Sequence, residues 1–266
     1  MAGIKTLLIT GGSSGIGYAV SEYFAKAGYR ILWASWLEEE LQEAKTRLSN
    51  SHTGTEIHTL AIDLSKEESC QQVFDWTKEN GWTVNVLINN AGFGTYGFLQ
   101  ETSMEKEIAM IKLHILSTYK LTRLFLSEMI KRDEGSIINI ASNSSFQPTP
   151  KLNTYASTKA FVNHFTRGLH EELKMSGSKV KAICVCPAAI RDTAFRKGEK
   201  LDKVKTFDGL ATTTTAEVAK NIWNGFQQGK AFIVSGWKMR LLYSISWLIP
   251  YGLTQVLVKR EVQTTD

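Results

Sequence analysis

Apolar runs of strand length alternate with helix-patterned segments along almost the whole chain, and this alternation restricts the fold more than any other feature. Runs such as Leu7-Leu8-Ile9, Val86-Leu87-Ile88 and Ile137-Ile138 are continuous rather than every second residue. A strand reads that way when both its faces are covered, as in a parallel sheet with helical crossovers. Strands are expected near residues 5–10, 29–34, 56–62, 84–88, 136–140, 179–186 and 231–235. Helices are expected up to about 27, then over 38–48, 66–78, 103–131, 155–175 and 216–228. The fold class that follows is α/β: one doubly wound domain over residues 1–266, with a parallel sheet of about seven strands and helices on both faces.

Composition removes several alternatives. With only 4 prolines and no repeat or linker tract, the 266 residues read as one domain rather than two. The net charge of +5 comes from cations scattered among acids, so nucleic acid is not an expected partner. Cys184 and Cys186 alternate in the run Ala182-Ile183-Cys184-Val185-Cys186, which reads as a core strand, and no ligand spacing for a metal accompanies them. Met1 to Thr6 lead into a strand without the apolar region of a signal peptide, and a cytoplasmic location is the expectation.

Two local patterns carry chemistry. Thr10-Gly11-Gly12-Ser13-Ser14-Gly15-Ile16-Gly17 follows the first strand and opens a helix. Glycines there let backbone approach a pyrophosphate, and the helix supplies free N–H groups and its positive end. Tyr155 and Lys159 are spaced i, i+4 and share a helix face. Free tyrosine titrates near ~10. A neighbouring ammonium favours the phenolate, which is the tuning that general acid–base catalysis requires.

In combination these motifs resemble the short-chain dehydrogenase/reductase family. Gly11, Gly15 and Gly17 form its Gly-x-x-x-Gly-x-Gly pattern, Asp63-Leu64 ends the third strand and Asn89-Asn90-Ala91-Gly92 the fourth. Ser142 stands thirteen residues before Tyr155, and the resemblance runs from about residue 5 to 236. Ser144, Ser145 and Ser157 lie near, but the family spacing selects Ser142. The resemblance implies a Rossmann domain binding NAD(P), with Ser142, Tyr155 and Lys159 catalytic and no metal. Ser142 would hold the substrate oxygen, and Lys159 would also reach a ribose hydroxyl. Cofactor contacts are implied for Gly11, Ser13, Ser14, Gly15, Ile16, Gly17, Ser35, Trp36, Asp63, Leu64, Asn90, Ala91, Gly92, Tyr155, Lys159, Pro187 and Thr193.

Three departures qualify the pattern. Ser35 stands where an acid would select NAD(H), while neither Ser14 nor Trp36 is the cation that would select NADP(H). Either nucleotide fits, with NADP(H) slightly favoured because no acid excludes it. His114, a further candidate catalytic residue, falls where the family has an asparagine that holds a water and extends the proton relay. It would either hold the same water or disrupt it, and retained catalysis with an altered pH profile is expected. Ala188 follows Pro187 where relatives often carry glycine. Residues 188–215, with the stretch Arg196-Lys197-Gly198-Glu199-Lys200, read as a substrate flap. Phe93, Phe98 and Phe146 either line an apolar substrate site or belong to the core.

Residues 237–260 form an apolar tail, rich in aromatics and bounded by Lys238, Arg240, Lys259 and Arg260, with Pro250 and Gly252 interrupting it. It is too broken to span a bilayer, which needs ~20 apolar residues. Packing against a second subunit of a homo-oligomer is favoured over peripheral membrane contact, and both remain open.

The expected function is NAD(P)-dependent interconversion of a ketone or aldehyde and an alcohol, with Tyr155 as proton donor and acceptor and a small-molecule substrate that a lipophilic site would suit. Within the family, Ala141-Ser142-x-x-x-Phe146-Gln147-Pro148 and the basic apolar tail look more like the general-purpose carbonyl reductases than the acyl-carrier-protein reductases. The alternative is a catalytically weakened NAD(P)-binding sensor or scaffold, suggested by His114, Trp36 and Ala188 and opposed by the intact Ser142, Tyr155 and Lys159.

Overall fold

The structure is a computed structural model that describes residues 3–193, 195, 201, 204–207, 212–246 and 248–264. Its seven strands are β1 (Thr6–Thr10), β2 (Arg30–Ser35), β3 (Ile57–Ala61), β4 (Val84–Asn89), β5 (Ser136–Ile140), β6 (Lys181–Cys186) and β7 (Phe232–Val234). They form one parallel sheet in the order β3-β2-β1-β4-β5-β6-β7. The helices are α1 (Gly15–Lys26), α2 (Glu38–Ser51), α3 (Ser69–Glu79), α4 (Met104–Ile111), α5 (Thr118–Arg132), α6 (Asn153–Met175), α7 (Thr215–Gln227), α8 (Trp237–Ser246) and α9 (Tyr251–Glu261).

The continuous apolar runs are explained by two cores, one on each face of the sheet. Successive strand side chains point to opposite faces. Leu7 and Ile9 therefore join Val20, Phe24, Trp33 and Ile222 on one side. Leu8 joins Val73, Leu87, Phe125 and Leu169 on the other. Each fully buried side chain of this size contributes roughly 1.5–3 kcal/mol, so both faces must be covered for the sheet to be stable. After β3 the chain returns to lay β4 against the free side of β1. This reversal of strand order opens a crevice at the carboxyl ends of β1 and β4, where ligands bind in such sheets.

The helix expected over 103–131 is not regular throughout. Between α4 and α5, Lys112–Ser117 form a π-helical segment, the wider turn that admits one extra residue. Its sequence, Lys-Leu-His-Ile-Leu-Ser, has an ordinary helical pattern, and the segment carries His114, whose tertiary bonds are described below. The tail forms two helices, divided at Pro250, which N-caps α9. No helix among the described residues is long and apolar enough to cross a membrane. Cys70, Cys184 and Cys186 are buried and unpaired, and Cys184 and Cys186 pack with Ala141, Val162 and Val234 as a core strand should. Among the described residues no cluster of His, Cys, Asp and Glu could hold a metal.

Candidate active site

The glycine turn is tied to the end of β4. The Thr10 hydroxyl accepts hydrogen bonds from the backbone N–H of Asn90 (2.9 Å) and Ala91 (3.0 Å). Asn90 Nδ2 returns two bonds of 3.0 Å to the carbonyls of Thr10 and Gly11. The turn then folds tightly over the first turn of α1, and a Cβ at Gly17 would lie 2.1 Å from the Gly11 oxygen. Gly11 and Gly15 adopt positive φ, +66° and +53°, which L side chains rarely do. Ser14 N-caps α1 without a side-chain bond to it. The opening N–H groups of the helix therefore remain available to an anion, and the cradle fits a dinucleotide pyrophosphate.

The other residues expected around a nucleotide are distributed unevenly. Ile16 packs against the core cluster, and the Thr193 hydroxyl lies 3.4 Å from where a Cβ of Gly15 would be. The carbonyl of Pro187 accepts from Asn143 N–H at 2.9 Å, joining the end of β6 to the loop that carries Ser142. Asp63 sits two residues past β3 with its carboxylate engaged by Ser65 N–H (2.9 Å) and Ser65 hydroxyl (2.7 Å), and Leu64 is core. Trp36 is exposed. Ser13 and Ser35 bring their hydroxyls to 3.5 Å of each other. A residue that the sequence reading missed completes this corner: Ser13 donates to the Glu40 carboxylate at 3.4 Å. The signal was present as Glu38-Glu39-Glu40, three acids opening α2 directly after β2.

Ser142, Tyr155 and Lys159 are brought together at the end of β5 and the start of α6. Lys159 Nζ donates to the Ile140 carbonyl at 2.9 Å and stands 5.9 Å from the centre of the Tyr155 ring. Ser142 heads a 3-10 turn (Asn143–Phe146), accepts from Ser144 N–H at 3.2 Å and donates to Asn143 Oδ1 at 3.2 Å. Ser145 is committed elsewhere, donating to the Ser142 carbonyl at 2.6 Å. Burial pushes the Tyr155 phenol up to about 12, while its hydrogen bond with Ser142 pulls the other way. Burial also brings Lys159 down to about 8. The lowering expected from Lys159 does not appear: the Ser142 hydrogen bond is what opposes the rise, and desolvation outweighs it.

His114 is enclosed by the same elements. Its Nε2 accepts from Phe93 N–H at 3.2 Å, so the ring proton belongs on Nδ1, which faces the Thr158 hydroxyl at 2.9 Å. Thr158 in turn donates to the Tyr155 carbonyl at 2.7 Å. Burial first, then the Lys159 charge, holds the imidazole well below its ordinary pKa. Both ring nitrogens are therefore occupied by protein groups, and the ring stands edge-on to Tyr155 with centroids 5.8 Å apart. Gly92 makes room for it, since a Cβ there would lie 2.6 Å from Nε2.

A buried amide chain, absent from the sequence reading, supports the site from below. Asn89 Nδ2 donates to Asn139 Oδ1 (2.8 Å), and Asn139 Nδ2 to the Thr166 hydroxyl (2.9 Å), crossing from β4 through β5 to α6. Its signal was Asn139 inside Ile-Ile-Asn-Ile.

The aromatics sort differently from expectation. Phe93 lies beside His114. Phe98 is exposed, with the Lys151 ammonium over its ring. Phe146 turns away to pack on Phe232 and Tyr243. Phe195 instead lies against Tyr155, ring centroids 5.3 Å apart, and belongs to a cluster with Tyr96, Leu201, Val204 and Phe207. Phe195, Leu201, Val204 and Phe207 are described parts of the expected flap over 188–215, whose charged stretch, Arg196 to Lys200, lies outside the described residues.

A doubly wound sheet with a glycine cradle at its switch point and a Ser–Tyr–Lys group beside it defines a nicotinamide-nucleotide oxidoreductase. The family model for short chain dehydrogenases matches residues 5–203, and the chain belongs to the short-chain dehydrogenase/reductase family, enzymes acting on CH–OH and carbonyl groups with NAD(P). It is 34% identical to the very-long-chain 3-oxoacyl-CoA reductase of Rattus norvegicus over 228 residues, 79% of this chain and 70% of that one. A short-chain dehydrogenase from Sphingobium yanoikuyae, solved in complex with NADPH, matches 99% of both chains at 26% identity and a TM-score of 0.78. A short-chain dehydrogenase/reductase from Burkholderia phymatum, solved in complex with NAD, matches 99% of this chain and 97% of its own at 23% identity, TM-score 0.78, a likeness of fold.

Proposed function

We propose that this enzyme interconverts a lipophilic ketone or aldehyde and the corresponding alcohol, with Tyr155 giving or taking the proton at the substrate oxygen. The observation that carries this reading is the convergence of Ser142, Tyr155 and Lys159 on one crevice beside the glycine cradle. When bound, NAD(P)(H) supplies or accepts the hydride. The chain does the rest. The α1 terminus and Gly11–Gly17 would hold the pyrophosphate, Thr193, Asn90 and Pro187 would line the nicotinamide end, and Lys159 would reach the ribose. Ser142 holds the substrate oxygen against Tyr155, and the Phe195 cluster excludes water from it.

The apolar wall and the rat relative's name together support a long-chain 3-oxoacyl thioester as the substrate class. The test is NAD(P)H oxidation against a panel of 3-oxoacyl thioesters and bulky ketones, using the natural chain and Tyr155→Phe. Activity should fall by about 10²–10⁴-fold in the variant. Nucleotide binding without turnover on the whole panel would move the reading to a sensor or scaffold. Undiminished turnover in Tyr155→Phe would remove Tyr155 from the chemistry.

Choice of nucleotide rests on the Ser13–Ser35–Glu40 corner. The slight preference for NADP(H) drew on the missing acid at Ser35, and Glu40 brings a carboxylate to that corner from α2, which opposes a 2′-phosphate. Glu40 then sets the ratio in which the two nucleotides are used. Assembly as a homo-oligomer is supported by an aromatic row on α5 and α6, where exposed Tyr119, half-buried Phe165 and exposed Phe161 follow one another at 5.8 and 5.6 Å.

A further inference from the structure

We propose that α8 and α9 form a docking face for an anionic lipid surface. Their inner sides are anchored to the domain. Met239 and Tyr243 pack with Phe146 and Phe232, and Val258 on α9 and Val262 just after it pack against the Tyr96 cluster, with the Tyr96 hydroxyl donating to the Val262 carbonyl at 2.5 Å. Their outer sides are apolar. Leu241, Leu242 and Ile245 on α8 and Leu253, Val256 and Leu257 on α9 are each 42–58% exposed. A helix packed on a domain and facing water carries its polar residues outward, so both helices have the opposite polarity to one that ends at solvent.

Charge selects the occupant. Lys238 and Arg240 lie at the start of α8, Lys259 and Arg260 at the end of α9, against the single acid Glu261. None of the four cations pairs with a carboxylate among the described residues. A second copy docked face to face would set these cations against their own kind, whereas anionic headgroups complement them. Trp237 and Tyr251, each 67% exposed at the helix starts, suit the headgroup level. Helices of 10 and 11 residues are too short to span a bilayer and long enough to lie in its surface. The aromatic row on α5 and α6 leaves a separate face for self-association.

The docked face adjoins the site. Asn143 Nδ2 lies 3.9 Å from Met239 Sδ, and Gln255 Nε2 donates to the Pro148 carbonyl at 3.2 Å, so α8 and α9 brace both ends of the loop that follows Ser142. The lipid contact itself does not depend on which carbonyl the enzyme reduces.

Flotation of the full chain with phosphatidylcholine vesicles, with and without phosphatidylglycerol, tests this. Binding should be at least tenfold stronger to the anionic vesicles and weaken as salt rises. It should be lost in Leu242→Glu/Leu257→Glu and strongly reduced in Arg240→Glu/Lys259→Glu, whose changes touch only exposed charge and leave folding intact. Far-ultraviolet circular dichroism and nucleotide binding check both variants. Absence of flotation, equal binding to neutral and anionic vesicles, or binding unchanged in the charge variant would overturn the proposal. So would a light-scattering mass that falls in the leucine variant without any vesicle binding in the natural chain, since a second copy would then cover the face.

Discussion

Tyr155 and Lys159 are held in a site that keeps the phenol protonated, since burial pushes it up to about 12. On the proposed reading, carbonyl reduction needs the phenol to deliver a proton, and the form required is present throughout the neutral range. In alcohol oxidation it must accept one, and the phenolate becomes more abundant as pH rises toward that value. Oxidation should therefore gain up to about tenfold in kcat/KM per pH unit on the alkaline side, while reduction stays flat there. Rates measured in both directions over pH check this, and a flat oxidation profile would count against Tyr155 as the base. At the nucleotide corner, Glu40→Gln should raise the ratio of NADPH to NADH efficiency by about tenfold, because the carboxylate beside Ser13 no longer repels a 2′-phosphate. Steady-state kinetics with both nucleotides read it directly. That Tyr155 and Lys159 share a helix face was legible from their spacing, whereas Ser142 was singled out only by the family's thirteen-residue interval. Glu40 was not legible, because it reaches Ser13 from five residues beyond the end of β2.

The π-helical segment between α4 and α5 is where local pattern and tertiary demand separate. His114 links the backbone after β4 to Thr158 on α6, and its fit depends on Gly92 having no side chain. With both nitrogens bonded inside the protein, the ring acts as a neutral brace for the Tyr155 helix. His114→Asn should then lower stability by roughly 1–3 kcal/mol and leave the pH profile of turnover in place. A profile that shifts with the substitution would put the imidazole in the proton path. Gly92→Ala should also destabilise by about 1–3 kcal/mol through overpacking, and by much less when combined with His114→Ala. Denaturant unfolding of the two single variants and the double variant measures that coupling. Simple additivity would mean that the two residues do not meet.

Over the whole molecule, His114 adds a pH dependence to folding. Its folded pKa lies below the ordinary 6.5, so below that value the unfolded chain binds the proton first. Stability is complete above about 6.5 and declines as pH falls toward the folded value. Unfolding midpoints across acid pH should drop more steeply in the natural chain than in His114→Asn, and equal slopes would contradict the brace. The sequence by itself determined the doubly wound sheet, the glycine cradle, and the Tyr155–Lys159 face. Continuous apolar runs, positive-φ glycines and an i, i+4 interval act over a few residues, through backbone geometry alone. Only the tertiary structure decided where His114 points its two nitrogens, that Phe195 rather than Phe146 stands at Tyr155, and which side of α8 and α9 faces outward. Those outcomes depend on partners 21 to 166 residues away in the chain. Local pattern carries no record of such partners, because packing and desolvation select them only once the sheet has brought the segments together.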